Sequence, residues 1–156
     1  MGKGPLHILL VEDDPDHADL MTLALMESPP MVKVVHHVSD GDVALNYLFR
    51  RGEFAKGVLS PRPCLILLDL RLPKVDGLVV LKDIRNSSDD ELRRIPVVVL
   101  TSSEADRDTA AAYACGANSY VTKPVDYQEF SHLMADMGYY WLVWNRQAAF
   151  TTQPPV

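Results

Sequence analysis

The sequence predicts an α/β domain, a doubly wound five-stranded parallel sheet with helices on both faces, and three observations carry that reading. Five short apolar runs alternate with five segments of helical apolar spacing, the order that right-handed crossovers turn into a sheet covered on both sides. The inner runs CLILL at 64–68 and IPVVVL at 95–100 are apolar throughout instead of alternating, as strands buried on both faces must be. Four of the runs stop at polar residues: Glu12 and Asp13, Asp69, Thr101, and Lys123. Ligands in an open α/β sheet are handled at the carboxyl ends of the strands, so this fold brings residues far apart in sequence to one edge.

The first strand, LHILLV at 6–11, runs into Glu12, Asp13, Asp14 and Pro15. Pro15 suits the first turn of a helix and Asp14 the cap before it, which leaves Glu12 and Asp13 at the strand end. Leu20, Met21, Ala24 and Leu25 give that helix its apolar stripe, and Ser28, Pro29 and Pro30 stop it. Residues 32–38 form the second strand, after which Ser39, Asp40 and Gly41 open a helix that buries Ala44, Tyr47 and Leu48. His36 and His37 are neighbours on that strand and point to opposite faces, so they do not converge on a metal. The Gly- and Pro-punctuated segment 51–63 reads as a long loop leading into the third strand. Asp69 closes this strand, and there a turn-forming aspartate and a chemically active one are both open readings.

Gly77, Val80, Leu81 and Ile84 mark the third helix, which polar residues 86–90 close as a loop. After the fourth strand, Thr101, Ser102 and Ser103 offer hydroxyls that also serve as helix caps. The fourth helix is expected to bury Ala110, Tyr113, Ala114 and Ala117 and to end at a left-handed Gly116. Residues 118–122 form the fifth strand, ending in Lys123 and Pro124. Asp126 with Glu129 then caps a fifth helix bearing Phe130, Leu133, Met134 and Met137.

At 156 residues and 47% hydrophobic composition the chain suits one domain with a sizeable core and leaves little room for a separate output module. A formal net charge of -6 and the lack of a Lys/Arg block argue against nucleic acid or an anionic membrane as the main partner. The first apolar run is too short for a signal peptide and nothing approaches a membrane span, so a soluble, cytoplasmic protein is expected. Cys64 and Cys115 lack metal or redox spacing and are read as reduced structural thiols.

Three carboxylates packed together repel unless a divalent cation and an ammonium offset their charge. Mg²⁺ fits, as an oxygen-seeking ion held by a few carboxylates plus water and phosphate oxygens. A phosphoryl group arriving at a carboxylate needs a cation, an ammonium and a hydroxyl donor around its oxygens. Asp13 with Mg²⁺, Lys123 and Thr101 supply that set. No His, Cys or Ser with a paired base stands at these strand ends, which counts against a hydrolytic triad. The inferred chemistry is acceptance of a phosphoryl group by a carboxylate.

With these residues in place, EDD after the first strand, LLDLRLPKVDG around the third, VVVLTSSEA at the fourth and SYVTKPVD at the fifth resemble the receiver domain of two-component response regulators. The resemblance covers residues 6–137 and implies a CheY-like fold of flavodoxin-like topology. Position by position it implies Asp69 as the phosphoacceptor and Glu12 and Asp13 as the acidic pair holding Mg²⁺, with Asp69 and the Arg71 carbonyl completing the ligands. It implies Thr101 as the hydroxyl that follows the phosphoryl group, Tyr120 as the aromatic switch, Lys123 as the phosphate-contacting ammonium, and a cis Lys123–Pro124 bond. The Arg71 side chain departs from the pattern, standing two residues after the acceptor where it is expected to alter the phosphoryl lifetime. A narrower resemblance, carried by the long loop before the third strand, the LLDLRLPKVDG turn and YWL at 140–142, is to stand-alone receivers that partner bacterial phytochrome histidine kinases. It implies a phytochrome-type histidine kinase as partner, and a signalling phosphoacceptor that is not an enzyme and lacks its own DNA-binding output.

Beyond Met137 the segment DMGYYWLVWNR concentrates Tyr139, Tyr140, Trp141 and Trp144, a set costly to leave in water. Residues 138–147 are read as an extension of the last helix, with Gly138, which costs about 1 kcal/mol inside a helix, as a break. The aromatics either pack back on the domain or form a homodimer contact. The dimer is favoured because interfaces are rich in Trp and Tyr, through the fourth helix, fifth strand, fifth helix and extension. Residues 148–156 are expected to be a disordered tail. Other classes fit less well. An aspartyl-nucleophile phosphatase or phosphotransferase commonly places a second Asp where Arg71 stands. A flavodoxin-like nucleotide binder wants a Gly-rich loop where Glu12, Asp13 and Asp14 stand. An unphosphorylated receiver-like scaffold would lack a chemical position, and none is missing.

Overall fold

The computed structural model describes residues 4–30 and 33–146. Its strands are β1 (Leu6–Val11), β2 (Lys33–Val38), β3 (Leu65–Leu68), β4 (Val97–Thr101) and β5 (Ser119–Thr122), and its helices α1 (Pro15–Glu27), α2 (Gly41–Phe49), α3 (Gly77–Arg85), α4 (Asp90–Arg93), α5 (Asp106–Ala114) and α6 (Tyr127–Tyr139). All strand pairs are parallel, in the order β2-β1-β3-β4-β5, the doubly wound sheet that the alternation predicts. The order reverses between β1 and β3, the switch point at which open α/β sheets form a crevice. There Val11 pairs with Leu68, so Glu12 and Asp69 leave the sheet side by side.

Successive side chains on each strand point to opposite faces, and both faces are packed. On one face Ile8, Leu10, Leu65, Leu67, Val98 and Leu100 meet Ala18, Met21 and Leu25 of α1 and Phe130, Met134 and Met137 of α6. On the other, Leu9, Val11, Ile66, Leu68, Val97 and Val99 meet α2, α3, Leu92 of α4 and Ala112 of α5. Each of these large side chains contributes about 1.5–3 kcal/mol by leaving water. Among the described residues no helix is long and apolar enough to cross a membrane.

Three expected caps form: Asp14 accepts from the N–H groups of Asp16 and His17, Asp40 from Val43, and Asp126 from Glu129; the hydroxyls of Thr101, Ser102 and Ser103 do not cap α5, whose N-cap is Ala105 with no side-chain bond. Gly116 takes φ 97° beyond α5. Four expectations need correction. Residues 86–90 are not all loop and the helices number six, not five, among the described residues: Asp89 caps a one-turn helix, α4, that begins at Asp90. The stripe Ala110, Tyr113 and Ala114 is exposed, and α5 buries Ala112 instead; alanines on every side of this helix leave the hydrophobic contrast too weak to give its phase. Lys123–Pro124 is not cis, the cis bond among the described residues being Pro29–Pro30; trans is the lower-energy form of an X–Pro bond unless its surroundings override it. Gly138 does not break the last helix, which runs through it into a wide π-helical turn at Tyr140–Trp144. A Cβ there would lie 3.0 Å from Leu25 Cδ2, so this glycine lets α6 approach α1. Val32, expected to start the second strand, and the expected tail 148–156 lie outside the described residues.

Gly77 sits where α3 turns back against the end of β3, and a Cβ on it would stand 2.3 Å from the Asp69 carbonyl oxygen. Gly77→Ala should therefore displace the backbone at Asp69 and cost about 1–3 kcal/mol. Urea unfolding checks this, and an unchanged midpoint would show that the junction has room.

Candidate functional site

Backbone hydrogen bonds continue the ladder past the strand ends and set each polar residue in place. The Glu12 N–H donates to Val38 O at 3.1 Å, the Asp69 N–H to Val11 O at 3.1 Å, and the Lys123 N–H to Thr101 O at 2.8 Å. The ends of the adjacent strands β1 and β3, and that of β5 beyond β4, thus present Glu12, Asp69 and Lys123 at one edge of the sheet. All three are buried, at 1%, 6% and 7% exposure, although a charge is costly to bury unless it is paired.

Pairing is what the side chains achieve. Lys123 Nζ donates to Glu12 Oε2 at 2.7 Å and to Asp69 Oδ2 at 2.9 Å, and lies 3.1 Å from His17 Nδ1. Burial pushes the Glu12 carboxyl up to about 7 against the pull of Lys123, with the charge of Asp69 adding to the rise. For Lys123, burial alone would lower the ammonium, but its hydrogen bonds to Glu12 and Asp69 and their charges raise it above its ordinary value. The cation is thereby held charged between two acids that would otherwise repel.

The acidic set fits a hard cation. Carboxylate oxygens of Glu12, Asp13 and Asp69 lie within 4.8 Å of one another, Asp13 being the exposed member. Glu12 Oε1 accepts from the Asp14 N–H at 3.2 Å and Asp69 Oδ1 from the Arg71 N–H at 3.0 Å, which orients both groups. An all-oxygen donor set suits Mg²⁺ or Mn²⁺ better than a thiophilic ion. These residues, with His17, Arg71, Thr101, Ser102 and Lys123, line an open pocket of about 220 Å³.

Thr101 is wholly buried, with Oγ1 accepting weakly from the Ser103 N–H at 3.5 Å. Tyr120 packs against the core on the α5 side, and its hydroxyl donates to Ser103 O at 2.8 Å. Ser103 Oγ in turn donates to Asp108 Oδ2 at 2.5 Å, and Arg71 Nη2 pairs with the same oxygen at 3.0 Å. The Arg71 side chain is therefore tied to α5, while its backbone serves Asp69.

The receiver family model, "Response regulator receiver domain", matches residues 8–135. The chain belongs to the response regulator receiver family. Among curated proteins this receiver is 42% identical over 144 residues to "Probable methanogenesis regulatory protein FilR2" of Methanothrix harundinacea, spanning 92% of this chain and 88% of that one. It is 39% identical over 138 residues to response regulator Rcp1 of Synechocystis, spanning 88% and 90%. The structure of the Mn(2+)-bound form of Rcp1 superposes with a TM-score of 0.85 over 93% of this chain and 100% of that one, at 36% identity. That of the phosphorylated cyanobacterial phytochrome response regulator RcpA gives 0.84 over 92% and 98%, at 37% identity.

Of the residues expected at the receiver's site from sequence, Glu12, Asp13, Asp69, Arg71, Thr101 and Lys123 line this one pocket, whereas Tyr120 does not line it and instead donates to Ser103 O, two residues beyond Thr101. Sequence reasoning missed His17 and the pair Ser103–Asp108. His17 was within reach of it, because the first turn of a helix that follows a strand end sits beside that edge. Asp108 was not, since nothing in the sequence phases α5.

Removing the ammonium leaves two buried acids facing each other. Lys123→Met should destabilise the cation-free protein by about 3 kcal/mol, and by clearly less in an Asp69→Asn background. Urea denaturation of the four combinations measures this, and an equal cost in both backgrounds would show that the two side chains do not share their burial.

Proposed function

We propose that this receiver accepts a phosphoryl group on Asp69 from the phosphohistidine of a histidine kinase and signals through protein–protein contacts. The observation that carries the proposal is the convergence of Glu12, Asp13 and Asp69 within 4.8 Å around a buried Lys123 that already contacts Asp69. In the transfer the P–N bond of the phosphohistidine breaks and a P–O bond to an Asp69 carboxylate oxygen forms. Positioning and electrostatics supply nearly all the catalysis that such a transfer needs. Glu12, Asp13, Asp69 and the Arg71 carbonyl would hold Mg²⁺, which when bound neutralises charge on the phosphoryl oxygens; the Mn(2+)-bound form of Rcp1 supports that assignment. Lys123 donates to a phosphoryl oxygen, and the Thr101 hydroxyl turns toward another.

The kinase is of phytochrome type, a reading supported by the likeness to the phytochrome response regulator RcpA. Phosphorylation is read through Thr101 and Tyr120: the hydroxyl leaving its resting place frees space and the Ser103 segment moves with it, drawing on the bond from Tyr120. Such coupling requires two packings that the phosphoryl group binds unequally.

The output surface is a homodimer contact through α5, β5, α6 and the extension. Trp141 and Leu142 pack on the domain's own core, but Trp144 stays 68% exposed, Tyr140 53% and Tyr127 62%, and aromatic residues of this kind are enriched in interfaces.

Three outcomes are expected. Asp69→Asn should accept no label from a competent phytochrome kinase, and Asp13→Ala should abolish the divalent-dependent change in NMR signals of the pocket; transfer to the Asn variant at the wild-type rate would remove the assignment. In sedimentation, Trp144→Ala should weaken self-association roughly tenfold or more, since each aromatic buried adds on the order of 2 kcal/mol. A wild-type chain that is monomeric at high micromolar concentration, phosphorylated or not, would exclude the dimer.

A further inference from the structure

His17 lines the acidic pocket from the first turn of α1, yet the chemistry described so far leaves it without a part. Its ring stands edge-on to Phe130, with centroids 5.7 Å apart and 73° between planes, and its backbone N–H is held by Asp14 Oδ1 at 3.2 Å. These contacts aim Nδ1 at Lys123 Nζ, 3.1 Å away. An ammonium only donates, so Nδ1 accepts and the ring proton sits on Nε2, which faces Asp14 Oδ2 at 3.7 Å.

Lys123 therefore has three N–H groups and three acceptors, Glu12 Oε2, Asp69 Oδ2 and His17 Nδ1. The resting ammonium is saturated. A phosphoryl oxygen beside Asp69 is a fourth acceptor for the same three N–H groups, so one existing bond must be given up when it arrives. Without His17 the count changes sides: the resting state is left with an unmet buried donor, and the phosphoryl oxygen satisfies it.

We propose that His17 is a positioning residue that competes with the phosphoryl group for Lys123, stabilising the resting protein against the phosphorylated one. The inference rests on Asp69 being the phosphoacceptor. Glu12 and Asp69 remain as anionic partners of the ammonium whether or not His17 lets go, so the competition for the third N–H is a tuning effect, about two- to tenfold in affinity.

Beryllofluoride with Mg²⁺, as the phosphoryl probe, tests it. His17→Leu should bind the probe about two- to tenfold more tightly than wild type, and His17→Asn, whose amide oxygen stands in for Nδ1, should return to near the wild-type value. Equal or weaker binding by the Leu variant overturns the proposal. A second measurement needs no variant: ¹⁵N NMR of the ligand-free wild-type chain, above the ordinary histidine titration range, should show the proton on Nε2, and the Nδ1 resonance should shift when the probe binds. An Nδ1-protonated ring overturns this inference alone, whereas a wild-type chain that binds no beryllofluoride removes the phosphoacceptor reading beneath it.

Discussion

Glu12 and Asp69 end neighbouring strands almost wholly out of water, and the ammonium of Lys123, which donates to both, is what makes that arrangement tolerable. Two buried acids at adjacent strand ends would each lose hydration and repel the other. One of them, Glu12, is already pushed up to about 7 by its burial. A cation reaching across from the end of β5 repays part of this cost, but only because β1, β3 and β5 stop at one level. The level is set by backbone bonds of Glu12, Asp69 and Lys123 to Val38, Val11 and Thr101. The sheet's registration and the site's electrostatics are thus one constraint, and a divalent cation bound beside Asp13, the exposed acid, would complete a neutralisation that Lys123 begins.

The two sides of the pocket are built to different stiffness. Ile8–Val11 of β1 and all of β3 and β4 contribute side chains with essentially no exposure, while every residue of β5 is only half-buried and α5 buries Ala112 alone. Regions with few buried apolar contacts open at lower free energy than the core. The polar chain from Arg71 through Asp108 and Ser103 to Tyr120 crosses from the stiff side to the lightly held one. A change at the end of β3 therefore meets least resistance toward α5 and β5, which is where a receiver of this kind would display it.

Legibility in the sequence followed the strength of local contrast. The inner strands were readable because the unbroken apolar runs LILL and VVVL are of strand length, follow closely on Pro63 and Pro96, and stop at Asp69 and Thr101, and the caps because Asp14, Asp40 and Asp126 stand directly before periodic segments. The site followed from the strands, since naming their ends named Glu12, Asp69, Thr101 and Lys123. What failed lacked contrast or depended on tertiary approach. An alanine-rich α5 shows no preferred face. Gly138 reads as a weak point in isolation and is a contact with Leu25 in three dimensions. The place of His17 beside the strand ends follows from the first turn of α1, but its contact with Lys123, more than a hundred residues on and 3.1 Å away, exists only in three dimensions.

The same pair of helices joins the pocket to the aromatic extension. α1 begins with His17 at the acidic edge and α6 carries Phe130 against it; further along, α6 meets Leu25 of α1 at Gly138 and runs on into Tyr140–Trp144. Met21, Leu25, Phe130 and Met134 keep this layer closely packed on the sheet, and interiors of that density shift as units instead of deforming. An interface built on the extension then inherits the rigidity of α1 and α6, whereas one built on α5 and β5 inherits their softness. A dimer that uses both faces would hold its partner through the first whether or not the protein is phosphorylated, and would register the phosphoryl group through the second.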